Sequence, residues 1–332
     1  MNCVDVIVPC YRYGRFLRAC VSSVLEQQGV NVRVLIIDDC SPDHTAEVAA
    51  QLRAEDQRVS YIRHESNQGH ISTYNEGIDW TRSEYYLLLS ADDYLLPGAL
   101  NRTVSFMDKH PSVTLAFGQA ITQRDQTGVD QIIPAAMSDA WEMVSGRVFI
   151  KRSGATNCVP TPAAIVRTAV QKRVGGYRPE LPHSGDMEMW LRLASHGDIG
   201  ISQAFHAVYR RHDDNMSLNY MKSHWLPDLE QRQAALSSFF LAAELGRQEG
   251  ELLRREAFRQ LAQEAVGFAS TAFNSGHLST SQQLSEFALE LDPGVRTSAA
   301  WLKLTGKRTV GLATWLGLRN SVSRIRGALQ TE

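Results

Sequence analysis

Apolar runs alternate with helical periodicity through the first ninety-odd residues, and two of the runs stop on adjacent aspartates. Residues 4–9, VDVIVP, read as a strand buried on both faces. The following GRFLRACVSSVLEQQ then places Phe16, Leu17, Cys20, Val21, Val24 and Leu25 on one helical face. VRVLIIDDCSPDHT is a second strand closed by Asp38 and Asp39. A turn at Ser41-Pro42-Asp43 makes Asp43 the expected N-cap of a helix through TAEVAAQLRAE, and Asp38 is suited to cap the loop before it. VSYIRH leads through ESNQGH to a helix ISTYNEGIDW, and YYLLLSADDYLLPG supplies a fourth strand ending on Asp92 and Asp93. Strands alternating with helices of this length predict an α/β fold, a mostly parallel sheet flanked by helices, with functional groups at the carboxyl ends of the strands. Pro9-Cys10-Tyr11, Asp38-Asp39 and Asp92-Asp93 should therefore meet in one crevice.

After residue 111 the alternation loosens. VTLAFGQAI and AAIVRTAV read as strands separated by a polar insertion, residues 122–147. A helix GDMEMWLRLASHG and a last strand ISQAFHAVYRRH close a domain of residues 1–217. Residues 218–332 turn to Ala, Leu, Gln and Glu in helical period and form an α-helical C-terminal region. The phrase AFNSGHLSTSQQLSEFALELDPGVRTSAAW resembles the helix-turn-helix of a tetratricopeptide repeat, although one repeat does not stand alone and a helical cap on the first domain is the plainer reading. The tail KRTVGLATWLGLRNSVSRIRGAL is basic and amphipathic. That pattern fits peripheral contact with a membrane face or an ordinary helix packed on the domain.

Composition removes several classes of function. With 34 Lys and Arg against 36 Asp and Glu, a formal net charge of −2, no global field draws the chain to nucleic acid. The five cysteines show no CxxC or Cys/His spacing, so buried reduced thiols are expected and zinc is not. The N-terminus enters a strand without a basic leader, and no run of about 18 apolar residues occurs. A cytoplasmic chain, or one resting on the inner face of a membrane, is expected. Neither a Walker loop nor GxGxxG follows the first strand, which argues against ATPase and NAD-binding readings.

Two adjacent anions at the end of a strand as apolar as Tyr85–Leu89 resist burial unless a cation or hydrogen-bond donors offset the cost. Mg²⁺ and Mn²⁺ prefer oxygen ligands, often one or two carboxylates completed by phosphate oxygens and water. A nucleoside-diphosphate ligand also needs acceptors for its base and ribose, and the carboxylates of IIDDCSPD and SADD supply both requirements.

In order along residues 4–217, the stretches VDVIVPCYRYGRFLRACVSSVLEQ, VLIIDDCSPDHT, NQGHISTYNEGI, YYLLLSADDYLLPGAL, VGGYRPELPHSGDMEMWLRLASHG and YRRHDDNMS resemble the family 2 glycosyltransferases of the Rossmann-like GT-A fold. The resemblance implies inverting transfer of a sugar from a nucleotide-diphosphate sugar, a UDP-sugar favoured, to a glycan, lipid-linked or other hydroxyl acceptor, as in cell-envelope or exopolysaccharide biosynthesis. By position it implies that Pro9 and Tyr11 line the base pocket, that Asp39 hydrogen-bonds the base, and that Asn67 and Gly69 flank the nucleotide. Asp92 then contacts ribose or metal, Asp93 binds the divalent cation (Mg²⁺ or Mn²⁺), and Arg210 or Arg211 meets the diphosphate. His212 is either a third metal ligand or a surface histidine beside arginines. Asp186 becomes the general base, with Glu188 or Glu180 next; on the residue alone a first-turn helix cap is an equal reading, and the resemblance tips it to the base. TNCVPTPAAIV falls where the family forms its acceptor floor. Ser90 departs from the family pattern, standing where many members carry the first aspartate of an Asp-x-Asp motif, which leaves weaker metal use or a degenerate scaffold role as alternatives. A sugar-phosphate nucleotidyltransferase is a further alternative, set back by the absence of a glycine-rich basic loop after strand one. Trp141 is read as a sugar platform or, more simply, as part of a satellite core.

Overall fold

The computed structural model describes residues 2–124, 140–215 and 225–317. The chain divides into two compact units, Met1–Asn215 with Leu241–Leu245, and Met216–Phe240 with Gly246–Glu332.

In the first unit one sheet contains β1 (Cys3–Cys10), β2 (Asn31–Asp38), β3 (Val59–Arg63), β4 (Tyr85–Leu88), β5 (Tyr94–Leu95), β6 (Val113–Arg124), β7 (Trp141–Val144), β8 (Ala164–Arg167) and β9 (Asp198–Arg211). The order β3-β2-β1-β4 is parallel throughout. β8 then runs antiparallel to both β4 and β6, β9 runs parallel to β6, and β5 and β7 pair antiparallel with different stretches of β9. Val4–Cys10 and Tyr85–Leu88 are buried without alternation, as strands covered on both faces must be. The covering helices are α1 (Gly14–Leu25), α2 (Thr45–Glu55), α3 (His70–Trp80), α4 (Ala99–Lys109), α5 (Gly146–Ser153), α6 (Thr168–Val174) and α7 (Gly185–Ala194). α1 buries Phe16, Leu17, Cys20, Val21 and Val24, the face its periodicity predicts.

Several expectations are modified. AAIVRTAV is strand only to Arg167; Thr168 begins α6 after its N–H reaches the Glu84 carbonyl at 2.9 Å, and Val170 and Gln171 are buried in helical phase. His44, not Asp43, is the N-cap of α2, but Asp43 still serves both neighbouring helices, accepting the Thr45 N–H at 3.2 Å and the Gly14 N–H at 3.1 Å. The polar insertion contains β7 and the start of α5, with residues 125–139 outside the described residues. Trp141 stacks on Phe106 at 4.3 Å between ring centroids, a packing role. The cysteines are all free, but only Cys10 and Cys20 are buried; Cys158 is exposed.

The second unit consists of α8 (Leu226–Ala242), α9 (Arg247–Asn274), α10 (Leu278–Leu291) and α11 (Ala299–Val310), with a 3-10 turn at Pro293–Thr297 capped by Asp292. α9 buries Leu261, Ala262, Ala265, Val266, Ala269 and Phe273 along one stripe, and Lys307 is buried with its ammonium on Ser270 and Asn274. Of the tail expected to lie on a membrane or a domain, residues 307–317 are described and pack on this unit, Lys307 on Ser270, Arg308 on the Ser281 carbonyl and Trp315 Nε1 on Asn274 Oδ1 at 3.0 Å, and residues 318–329 lie outside the described residues. Among the described residues no helix is long and apolar enough to cross a membrane.

Two buried ionic clusters tie the sheet together. At the amino end of β1, Asp5 is fully buried and accepts from Arg33 at 2.9 and 2.7 Å, Ser83 Oγ at 2.6 Å, and the N–H groups of Arg82 and Ser83. Burial alone would raise its pKa, but these donors outweigh it and hold the carboxyl below its ordinary value. Beside α3, His64 lies between Asp39 (Nδ1 to Oδ1, 2.7 Å) and Glu76 (Nε2 to Oε2, 2.6 Å). Burial disfavours its cation, yet the two carboxylates prevail and its pKa is raised.

Asp5→Ala should destabilise the fold by about 2–4 kcal/mol, since it strands buried donors, read as a lower urea midpoint at unchanged slope. A loss under about 1 kcal/mol would refute the cluster's role. His64 is raised in the folded state, so its stabilisation is complete below its unfolded value of 6.5 and fades as pH climbs through the folded value. The stability difference between wild type and His64→Gln should therefore be largest near pH 6 and shrink towards pH 9; a difference growing with pH would reverse the assignment.

Candidate active site

The crevice forms where β1, β2 and β4 end, because parallel strands deliver their carboxyl ends to one edge. β1 closes with buried Pro9 and Cys10, and Tyr11 follows 42% exposed at the rim. Arg12 (φ 64°) and Cys40 (φ 60°) both take the left-handed conformation, Arg12 donating its N–H to Ser41 Oγ at 3.0 Å. Non-glycine residues rarely adopt it, and such strain gathers at functional edges. Asp38 is turned inward, accepting from the Ser41 N–H at 2.8 Å and Tyr61 Oη at 3.3 Å, with Arg63 at 3.5 Å. It caps its loop, as expected.

Asp39 organises the next loop. Its Oδ1 accepts from His64 and from the Gln68 N–H at 2.7 Å, its Oδ2 from the Gly69 N–H at 2.9 Å, and Asn67 Nδ2 donates to its carbonyl at 3.2 Å. Asn67 and Gly69 are thus brought to Asp39. Gly69 (φ 83°) makes the turn into α3 with a conformation natural to glycine. Both oxygens already serve the chain, so a nucleotide base would use the remaining acceptor capacity of Oδ2.

At the end of β4 both aspartates are buried. Asp92 Oδ2 accepts from His212 Nε2 and Asn215 Nδ2, each at 3.1 Å, while its buried Oδ1 has no partner among the described residues. His212 is not a surface residue: it is 7% exposed, stacked on Phe16 at 4.8 Å, and its Nδ1 likewise has no partner among the described residues. Asp93 Oδ1 accepts the Arg210 N–H at 2.9 Å, and burial, then the charge of Asp92, push its carboxyl well above the ordinary range. Arg210 reaches back to the Asp92 carbonyl at 3.2 Å, and its guanidinium lies over Tyr94 and Phe16. Arg211 follows, half-buried, as the last residue of β9. The partner that sequence reasoning missed is Asn215, which the polar run HDDNMS hides among equally polar neighbours.

Asp186 lies in the first turn of α7. Its Oδ1 accepts the Met187 N–H at 2.8 Å, so part of the cap reading holds, while Oδ2 accepts from Asn157 Nδ2 at 2.8 Å and Thr161 Oγ1 at 3.2 Å. Burial raises its pKa against these donors. Asn157 and Thr161 also escaped sequence reasoning; they lie in the segment aligned with the acceptor floor, but nothing local marks their target. Glu188 is excluded as an alternative base, being fully buried between Arg178 at 3.0 Å and Arg192 at 2.8 Å, and Glu180 is exposed. After burial, the charges of Asp186, Asp92 and Asp93, in that order, raise the phenol of Tyr74.

The Glycosyl transferase family 2 model matches residues 5–173, a little over half of the chain. A putative teichuronic acid biosynthesis glycosyltransferase of Bacillus subtilis, TuaG, is 28% identical over 222 residues, which cover 66% of this chain and 83% of that protein. The uncharacterized protein MT1568 of Mycobacterium tuberculosis is 27% identical over 210 residues, 57% of this chain but only 61% of its own length. Among solved structures, Staphylococcus aureus TarS 1–349 in complex with UDP-GlcNAc aligns with a TM-score of 0.62 at 17% identity, covering 89% of this chain and 92% of that one. The mannosyltransferase PcManGT of Pyrobaculum calidifontis, in complex with GDP-Man and Mn²⁺, aligns at 0.57 and 12% identity, covering 94% and 85%. These last two likenesses speak to the fold, an α/β sheet of the GT-A kind with C-terminal helices. The family match rests on the residues that build the crevice's strands, and by it the chain belongs to glycosyl transferase family 2 and is a glycosyltransferase.

Proposed function

We propose that this glycosyltransferase moves a sugar from a nucleoside-diphosphate sugar, a UDP-sugar first, to a hydroxyl of a glycan or lipid-linked acceptor, with inversion and with help from a divalent cation. The observation that carries the reading is Asp186, a carboxylate of raised pKa held by Asn157 and Thr161 in the first turn of α7. A hydroxyl far above neutral in pKa must lose its proton as the glycosidic bond forms, and a carboxylate of raised pKa is a stronger base for that purpose. Asn157 and Thr161 fix its direction. In this reading the base activates the acceptor on the face opposite the leaving diphosphate, a displacement that inverts the anomeric carbon.

The donor side has the chemistry to hold a hard cation. The buried Oδ1 of Asp92, which has no partner among the described residues, the carboxylate of Asp93 and the imidazole of His212 offer donors of mainly oxygen type, the kind Mg²⁺ or Mn²⁺ prefer. Among the described residues no group of three or more His, Cys, Asp or Glu side chains is placed to hold a metal ion by itself. Diphosphate oxygens and water would complete the coordination, and a cation there would offset the charge developing on the leaving diphosphate. Arg210, anchored on Asp92 and Asp93, supplies fixed positive charge to the same place, and Arg211 continues it. Pro9, Tyr11, Asn67 and Gly69 would border the nucleoside. The UDP-GlcNAc of TarS and the GDP-Man and Mn²⁺ of PcManGT support a nucleotide-sugar donor, and the name of TuaG supports a place in envelope polysaccharide assembly.

Two variants test the reading. Asp186→Asn should lower turnover by roughly 10²–10⁴-fold, the ordinary worth of general-base catalysis, with donor affinity unchanged. Because Asn caps helices nearly as well as Asp, a purely capping residue would leave turnover intact. Asp93→Asn should abolish the Mn²⁺-dependent part of nucleoside-diphosphate binding measured by calorimetry, an amide being a poor ligand for a hard cation. Unchanged affinity in Mn²⁺ would remove Asp93 from the metal site.

A further inference from the structure

His64 is buried between two carboxylates, and the reaction described above gives it no task. Directly after β3 its N–H donates to the Asp38 carbonyl at 2.9 Å, and its side chain is 4% exposed. Nδ1 is 2.7 Å from Asp39 Oδ1 and Nε2 is 2.6 Å from Glu76 Oε2. A neutral imidazole carries one N–H, whereas an ionised carboxylate only accepts. Both contacts are therefore made at once only by the imidazolium, whose two N–H groups each meet an anion at the short distance of a charge-assisted bond. Asp39, from the loop after β2, and Glu76, from α3, are the charged groups that face the ring. Arg63, its neighbour in the chain, points instead to Asp38 and the Ser41 carbonyl, and Glu65 on the other side is exposed.

The two carboxylates are held differently. Glu76 stands on α3, which is seated directly on the sheet, since a Cβ on the adjoining Gly77 would collide with the side chain of Ile7 in β1; its own side chain is 38% exposed. Asp39 belongs to the edge where β1 and β2 end, its N–H bonded to the Cys10 carbonyl at 2.9 Å and its side chain 5% exposed. Its Oδ1 carries two donors, the His64 ring and the Gln68 N–H, while Oδ2 carries the Gly69 N–H and keeps a lone pair for a ligand. An N–H on the edge of a base is bound best by an acceptor that is ionised and fixed in direction. The cation on Oδ1 provides both, favouring the charged carboxylate and limiting its rotation. The two anions also raise the pKa of the ring against burial, so the cation persists above the pH at which a free histidine loses it. Once the ring is neutral, one of its nitrogens presents a lone pair to a carboxylate, and the bridge opens.

We infer that His64 is a positioning residue for the donor: as an imidazolium tied to Glu76, it holds Asp39 ionised and aimed at the nucleoside base, so that nucleotide binding is coupled to its proton. The inference rests on the nucleotide-sugar reading, in which Asp39 meets the base, and adds to it a residue that acts on the base through Asp39 without touching it.

The test titrates UDP, with GDP as a second probe, by calorimetry in Mg²⁺ between about pH 6 and pH 9 into wild type, His64→Gln and Glu76→Gln, each first confirmed to melt cooperatively at both ends of that range. Taking affinities as ratios at each pH removes the titration of the ligand itself. The wild-type advantage over His64→Gln should be about tenfold near pH 6, where the ring is charged, and should fall towards one near pH 9, as the ring becomes neutral. By linkage, saturation with UDP should move the titration of the His64 ring, followed by NMR of histidine-labelled wild type, up by about one pH unit. Glu76→Gln keeps His64 and Asp39 but removes one anion. It should lower the pH at which the ring titrates and, with it, the pH at which nucleotide affinity falls. A ratio of wild type to His64→Gln that is the same at both ends of the range would overturn the inference and leave His64 a structural brace, as would a ring titration that bound UDP does not move. A wild-type protein that binds neither UDP nor GDP at any pH would instead overturn the nucleotide-sugar reading on which the inference stands.

Discussion

A carboxylate at the end of a buried parallel strand has to be given donors, and the first unit is organised around that requirement. Four aspartates, 38, 39, 92 and 93, are buried at one edge of the sheet. The chain answers with loops that turn their N–H groups and bases inward. Ser41, Tyr61 and Arg63 serve Asp38; Gln68, Gly69 and His64 serve Asp39; His212 and Asn215 serve Asp92; the backbone of Arg210 serves Asp93. Because a buried ion without partners is far more costly than the few hydrogen bonds needed to hold it, these loops are shaped by the anions they enclose.

The satisfaction is uneven, and the unevenness separates scaffold from site. Asp38 and Asp39 have donors on every carboxylate oxygen and set the backbone of the loops after β2. Among the described residues Asp92 keeps a buried oxygen without a partner, His212 keeps a ring nitrogen without one, and Asp93 is pushed towards its neutral form by burial and by its neighbour. Groups left short inside an otherwise satisfied interior are where an external ligand gains most by binding. The same contrast recurs on α7, between residues only two positions apart. Glu188 is fully buried, neutralised by Arg178 and Arg192, and acts as a strut, whereas Asp186, with only neutral hydrogen-bond donors on its oxygens and a raised pKa, remains open to chemistry.

Sequence by itself determined a good deal. Apolar runs of four or five residues, VIVPC, VLII and YYLLL, between amphipathic helices specify a parallel α/β sheet, because only strands covered on both faces read that way, and parallel connection alone brings their carboxyl ends to one edge. The aspartate pairs and the acidic start of α7 were legible for the same reason: charge placed where burial is expected is conspicuous. Tertiary structure alone decided the rest. That Thr168 turns from strand into helix depends on where the edge of the sheet falls, which no local pattern encodes. Asn157, Thr161 and Asn215 are ordinary loop residues in sequence. Their roles arise from pairings such as Asn157 with Asp186, 29 positions apart, and Asn215 with Asp92, 123 apart. His212 appeared in sequence as a histidine beside arginines, and it is the packing of Phe16 against its ring that makes it a buried neighbour of Asp92. Periodicity reports which face of an element is covered; hydrogen-bond partners a hundred residues apart are chosen only when the chain has closed.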